Sequence, residues 1–232
     1  MGAPCLVPGG VEVGFLMTVD VGSLMPPDDV VKPRTPKQLR RWVLDRCGAI
    51  NAVPETKRPG LFKQFYEELY PLSLFAVYRY GEQDDVICVP NDDESKDYDA
   101  RIILAPSEEI KIEITLAYPP GLHIQLRQLM EKNIVSQYGI AIDHPDEMAL
   151  HLQLVKKAAE NKVRPGGYGA GYELLVFVED SWFEAKSDCA VVSEFLEREV
   201  AILPLRFDAL HVIGRTERLH KSVVLPGRRE IT

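Results

Sequence analysis

Two acidic residues in neighbouring predicted strands have the types and spacing that could do chemistry. Asp99 opens the stretch 99–104, Glu113 lies in the middle of 110–117, and a short polar turn joins them as a hairpin. A carboxylate in mid-strand runs against β propensity, which indicates a purpose other than folding. Carboxylates on paired strands can hold Mg²⁺ or Mn²⁺ through oxygen ligands and water. Such a metal activates water and neutralises charge on a phosphodiester.

A third acid is expected from the helix that precedes the hairpin. Glu68 has Phe65 three residues before it and Leu72 four residues after it, so it shares their inward face. Glu67 lies about a hundred degrees round the helix and is expected to be exposed. Glu68 is therefore the candidate supporting acid.

The elements that must position these acids predict an α/β fold. From residue 61 the order is helix, three strands as a β-meander, helices, strand, helix, strand. In the Glu113 strand, isoleucines alternate with polar residues, which indicates one buried face. The run Leu174–Val178 is apolar throughout, as in a strand covered on both faces. A central mixed sheet flanked by helices is the natural packing.

The predicted boundaries place an N-terminal extension at 1–55, packed on an α/β domain at 56–232. Pro71 should kink or end the Glu68 helix, and 72–80 can continue as helix or become strand. The remaining predicted helices lie at 35–48, around 122–130, at 146–163 and at 188–200, and the remaining predicted strands at 11–21, 86–89, 172–178 and 209–214.

Charge and composition narrow the class of protein. The net charge of −8 argues against a generic nucleic-acid coat, but residues 32–63 carry nine cations and two acids. Such separation suits an acidic metal site beside phosphate-contacting surfaces, and solvated helix faces would look much the same. There is no apolar run of about 20 residues to span a membrane and no convincing signal peptide. The four cysteines are widely spaced, which favours reduced thiols in a cytoplasmic protein.

Helix, β-meander with Asp and then a Glu-x-Lys position, helix and strand resembles the PD-(D/E)XK nuclease-like (restriction-endonuclease-like) superfamily. The resemblance covers roughly Leu61 to Val178. It implies a metal-dependent nucleic-acid phosphodiesterase, with Asp99 and Glu113 as ligands of Mg²⁺ or Mn²⁺, Glu68 in support and nucleic acid as partner.

The chain departs from the family's pattern at the lysine, because Thr115 stands two residues after Glu113. That lysine is thought to position the attacking water and stabilise transition-state charge. Two replacements are conceivable. Lys111 shares the face of Glu113 on the other side along the strand, and Lys156 or Lys157 could reach over from the following helix. Lys156 is preferred, because Leu152 at i−4 leans the same way.

Each of these residues also has a structural interpretation. Asp99 can simply end a turn, Glu113 can face solvent beside Lys111, and Lys156 can edge an amphipathic helix. The alternative function is accordingly a catalytically inactive nuclease-fold module that binds DNA or protein. The glycine-rich loop 165–171 precedes a strand, so it is neither a P-loop nor a dinucleotide fingerprint. The sequence leaves oligomeric state and substrate form open.

Overall fold

A six-stranded mixed sheet with helices on both faces forms the centre of the molecule. The computed structural model describes residues 21–51, 63–91, 93, 96–118, 144–180, 183 and 186–225. The strands are β1 (Ile87–Pro90), β2 (Ala100–Ala105), β3 (Glu108–Ala117), β4 (Tyr172–Val178), β5 (Ala209–Gly214) and β6 (His220–Val224). The α-helices are α1 (Val21–Leu24), α2 (Pro27–Val30), α3 (Pro36–Asn51), α4 (Tyr70–Tyr80), α5 (His144–Glu160) and α6 (Lys186–Phe195), and π-helices span Lys63–Leu69 and Leu196–Val200.

The strands lie side by side in chain order. β1, β2 and β3 form an antiparallel meander, β3, β4 and β5 run parallel, and β6 returns antiparallel to β5. Parallel neighbours need a crossover connection. The connection from β3 to β4 contains α5, and the connection from β4 to β5 contains α6. The predicted α/β class, with its mixed sheet, meander and flanking helices, is confirmed.

Alternation along the strands sends side chains into two separate cores. Ile112 and Ile114 of β3 face a core shared with α3 and α4, whereas Leu174 and Val176 of β4 face a core shared with α5 and α6. Every residue of β4 is buried. This matches a central parallel strand covered on both faces, as its continuous apolar sequence indicates.

The α3 boundary shows how local sequence starts a helix. The Thr35 hydroxyl accepts the N–H of Gln38 at 3.4 Å, and the Gln38 side chain accepts the N–H of Thr35 at 3.1 Å. This is a reciprocal capping box, followed by Pro36 in the first turn. The predicted stop at Gly48 is wrong, because the helix runs on to Asn51 and fully buries Ile50.

The segment around Pro71 is helical on both sides. A π-helix covers Lys63–Leu69, and α4 then begins at Tyr70 with Pro71 in its first turn, where a missing N–H is tolerated. The residues 72–80, left open between helix and strand by the sequence, are helix. The helix therefore changes from π to α geometry at Tyr70, directly before the proline.

Strand β6 has no counterpart among the sequence predictions. It is a short edge strand, and all five of its residues are partly or fully exposed. The helix predicted around 122–130, and residues 11–20 of the first predicted strand, lie outside the described residues. In the part of the chain that the structure describes, no helix is long and apolar enough to cross a membrane. The division at residue 55 stays a prediction.

Candidate active site

Asp99 lies where the β2–β3 ladder ends. Its N–H bonds the carbonyl of Ile112 at 2.8 Å, and its Oδ2 accepts the N–H of Ile114 at 2.6 Å. The carboxylate thus satisfies the N–H of Ile114 on β3, which lies beyond the first residue of β2. Burial raises the pKa of Asp99 above its ordinary value, against the lowering effect of the Ile114 hydrogen bond and of Lys162.

Glu113 projects from β3 on the face that carries α5. Lys162, two residues beyond the end of α5, donates from Nζ to Glu113 Oε1 at 2.5 Å, and both side chains are largely shielded from solvent. Burial raises the pKa of Glu113 and the negative charge of Asp99 adds to this, while Lys162 opposes it. The pKa remains above the ordinary value, so one lysine does not neutralise the site.

Glu68 of the π-helix interacts electrostatically with the same two acids. Burial, followed by the charge of Asp99 and smaller effects of Glu67 and Glu113, raises the pKa of Glu68 to about 7, although Lys63 lowers it. A π-helix places residue i+5, not i+4, above residue i, and such turns occur frequently at functional sites. Here Glu68 is half-buried between the buried Phe65 and Leu69.

Together, Asp99, Glu113 and Glu68 form what we term the acid cluster. All three have raised pKa values, and burial is the largest cause in each. The charge of Asp99 adds to the effect at Glu68 and Glu113, and that of Glu113 adds to it at Glu68. A cation at this place would favour the ionised form of all three.

The donor set fits a hard divalent cation held by few protein ligands. In the described part of the chain no three His, Cys, Asp or Glu side chains are close enough to hold a metal ion among them. Mg²⁺ keeps several waters and is commonly held by one or two carboxylates plus substrate phosphate. Asp99 keeps Oδ1 and Glu113 keeps Oε2 clear of the hydrogen bonds described above. Two carboxylates therefore suffice for Mg²⁺ or Mn²⁺.

The two lysines predicted as substitutes lie elsewhere. Lys156 Nζ pairs with Glu199 at 2.9 Å, so the structure does not bring it to the acid cluster. Lys111 does share the face of Glu113, but its Nζ lies 5.0 Å from the ring centre of Tyr172 and 5.6 Å from that of Tyr98. The cation beside Glu113 is Lys162.

Sequence reasoning missed Lys162, although a topological signal was available. Because β3 and β4 are parallel, the helix that connects them must run back against both strands. Its end therefore lies near the start of β4, where Tyr172 pairs with Lys111. Lys156 precedes Lys162 by six residues, which corresponds to about 9 Å along a helix, so it lies too far from this end to reach Glu113.

A second ionic group, which includes the buried Glu173 and His211, lies on the face of the sheet that carries α4, and we term it the paired cluster. Arg79 of α4 makes a double contact with Glu173 of β4, and His211 Nε2 donates to Glu173 Oε2 at 3.0 Å. The carboxylate can only accept, so Nε2 carries a proton, and His211 Nδ1 forms a hydrogen bond of 2.7 Å with the Ser222 hydroxyl. Burial acts to raise the pKa of Glu173, but the hydrogen bonds from His211 and Arg79 hold it below its ordinary value.

Comparison with known proteins adds no assignment. The chain matches no family model, no curated protein and no solved structure. Function must therefore be argued from the site itself.

Proposed function

We propose that the protein is a metal-dependent nucleic-acid phosphodiesterase with a restriction-endonuclease-like fold, related to the PD-(D/E)XK nuclease-like superfamily. The observation that carries the proposal is the acid cluster, where three half-buried carboxylates have raised pKa values and Glu113 pairs with Lys162. The order of π-helix and α4, meander, α5 and β4 agrees with that superfamily's arrangement. The proposed compartment is the cytoplasm.

The residues divide the work of phosphodiester hydrolysis among them. Asp99 and Glu113 would hold Mg²⁺ or Mn²⁺, which supplies charge neutralisation at the phosphate and lowers the pKa of water. Lys162 is placed beside Glu113, where its ammonium can orient the attacking water and stabilise developing negative charge. This is the role left vacant by Thr115.

Glu68 is suited to proton transfer. With a pKa of about 7, its carboxylate is partly ionised at neutral pH and can accept the proton of the attacking water. The water oxygen forms the new bond to phosphorus, the ester P–O bond breaks, and the departing oxygen takes a proton from solvent.

Calorimetric titration with Mn²⁺ tests the metal site directly. Wild type should bind the ion and Glu113→Gln should not, because the substitution removes a ligand charge and leaves the shape unchanged. The exposed Glu197→Gln serves as a matched control and should bind as wild type does. Absence of Mn²⁺ binding by the wild type would refute the proposal.

A plasmid-nicking assay then tests the lysine. Lys162→Met should lower nicking by about 10²–10³-fold, the usual effect of removing one preorganised donor to transition-state charge. It should retain Mn²⁺ binding, since Glu113 loses a competing cation. Lys156→Met is the matched control, because its lysine pairs with Glu199. Equal loss in both variants would count against the role of Lys162.

A catalytically inactive nuclease-fold module that binds DNA or protein is the second candidate. Two observations favour it: Thr115 stands at the lysine position of the motif, and Lys162 already pairs with Glu113. This module would bind its partner without nicking it in Mg²⁺ or Mn²⁺. Nicking that Glu113→Gln abolishes would exclude it.

A further inference from the structure

Lys111 differs from the other cations near the acid cluster in how it is held. Its ammonium lies over the rings of Tyr172 and Tyr98, and among the described residues no carboxylate pairs with it. Aromatic faces attract an ammonium group without cancelling its charge. The half-buried Lys111 therefore keeps a fixed positive charge that an anionic ligand can use.

The position of Lys111 relative to Glu113 suits an extended polyanion. The two residues are separated by one intervening residue on β3, so their side chains leave the same face about 6.8 Å apart. Successive phosphates along one nucleic-acid strand are separated by a similar distance. A strand with one phosphate at the acid cluster would bring the adjacent phosphate to Lys111.

Two arginines extend this positive surface. Arg101 is the cross-strand partner of Lys111 on the same face, and its pairing with Glu109 at 3.3 Å is partly exposed. Exposed pairs of this kind are weak and exchange readily for another anion. The guanidinium of Arg101 is therefore accessible to phosphate.

Arg164 approaches the same place from the loop after α5. Its guanidinium stacks 3.5 Å from the ring centre of Tyr168, its Nε donates to the Gly167 carbonyl, and its NH2 group donates to Asp97 at 2.8 Å. Asp97 also accepts the hydroxyl of Tyr172, whose ring lies under Lys111. The same network thus fixes Arg164 and Lys111.

We propose that Lys111, Arg101 and Arg164 form a second phosphate subsite, which holds a nucleic-acid strand by a phosphate adjacent to the one at the acid cluster. The identity of the ligand rests on the proposed function. Contacts to phosphate carry no sequence information, so this subsite positions the strand without selecting bases.

Fluorescence anisotropy of a labelled oligonucleotide, single-stranded and duplex, tests the subsite in EDTA, where metal plays no part. Lys111→Met should weaken binding about 5–10-fold at low salt and reduce the slope of log K against log salt by about 0.7–0.9. Lys111→Arg should keep the affinity and the salt slope of the wild type. Lys221→Met is the matched control, a half-buried lysine of β6 that should leave both unchanged.

Several outcomes decide the matter. An unchanged slope in Lys111→Met, or a wild type that binds neither oligonucleotide, overturns the subsite. If Lys111→Met fails to fold, Arg164→Gln decides in its place, since it should lower the slope by a similar amount. If wild type binds no Mn²⁺ but Lys111→Met still weakens oligonucleotide binding, the proposed hydrolysis fails and the subsite stands.

Discussion

The acid cluster and the paired cluster shift the pKa values of their carboxylates in opposite directions. In the paired cluster Glu173 contacts two donor groups, and its pKa is lowered in spite of burial. In the acid cluster Lys162 lowers the pKa values of Glu113 and Asp99 and Lys63 lowers that of Glu68, yet all three pKa values stay raised. Desolvation by burial opposes ionisation in both clusters, so the difference lies in the two side-chain donors that contact Glu173 directly. Uncompensated charge is costly for folding, which points to a ligand at the acid cluster and to a structural role for the paired cluster.

The largest expected effect is on folding, from breaking the paired cluster. Glu173→Gln should lower the free energy of unfolding by about 3 kcal/mol, because it removes the charge of the buried Glu173 carboxylate, which contacts both Arg79 and His211. Urea denaturation near neutral pH measures this. Glu113→Gln should cost much less, since it removes surplus negative charge. A similar loss in both variants would erase the contrast between the clusters.

The next effect is stabilisation by metal, which should involve only the acid cluster. Mn²⁺ at about one hundred times its dissociation constant should stabilise the wild type by about 2.7 kcal/mol. The same addition should do nothing for Glu113→Gln, because a ligand is missing. Urea denaturation with and without Mn²⁺ gives both values. If Mn²⁺ also stabilised Glu113→Gln, the metal site would lie outside the acid cluster.

A smaller effect is expected from pH, with opposite signs for the two clusters. The folded protein holds the Glu68 proton up to about pH 7, whereas the unfolded chain loses it near 4.5. Stability from this group is therefore full below 4.5 and is lost as the pH rises through 7. Glu173 behaves in reverse: its contribution is present above its unfolded pKa and is lost as the pH falls through the lower folded value.

Glu68→Gln should consequently flatten the alkaline side of the stability profile. We expect it to stabilise the protein at pH 8 by about 1 kcal/mol, a value reduced for solvent screening of a half-buried group. At pH 4 the variant and the wild type should match. Thermal denaturation across this range measures the profile, with Glu197→Gln as control. If stability depended on pH in the same way in Glu68→Gln and in the wild type, Glu68 would not belong to the acid cluster.

The smallest effect is expected at Lys156, which belongs to neither cluster. Its pair with Glu199 is solvent-accessible, and pairs of that kind contribute little. Lys156→Met should leave stability, Mn²⁺ affinity and their pH dependence unchanged. Loss of Mn²⁺ binding in this variant would support the sequence-based prediction that Lys156 belongs to the metal site.

Local patterns predicted most of the sheet. The limits of β4 and β5 match their predicted ranges, and β1, β2 and β3 agree within two residues, because each carries a continuous or alternating apolar pattern. The sequence did not predict β6, because an exposed edge strand has no such apolar pattern. Its place is set by pairing with β5, which is information from elsewhere in the chain.

For the candidate site, sequence reasoning reached the residues on regular elements. Asp99, Glu113 and Glu68 were identified by position in strand or helix, and the charges of Asp99 and Glu113 raise the pKa of Glu68. Lys162 lies in a turn after α5, so periodicity says nothing about its direction. The paired cluster joins residues more than ninety positions apart in sequence, Arg79 and Glu173, and no local signal links them.

The π-helix at Lys63–Leu69 makes the acid cluster sensitive to chain length. A π-turn holds an extra residue compared with an α-turn. Loss of one residue between Glu68 and Pro71 could be absorbed as ordinary α-helix with the rest of α4 undisturbed, but Glu68 would rotate by about a hundred degrees relative to α4. A single-codon deletion could thus remove the third carboxylate while Asp99 and Glu113 stay in place. This segment is therefore where an insertion or deletion could change the chemistry of the protein and preserve its fold.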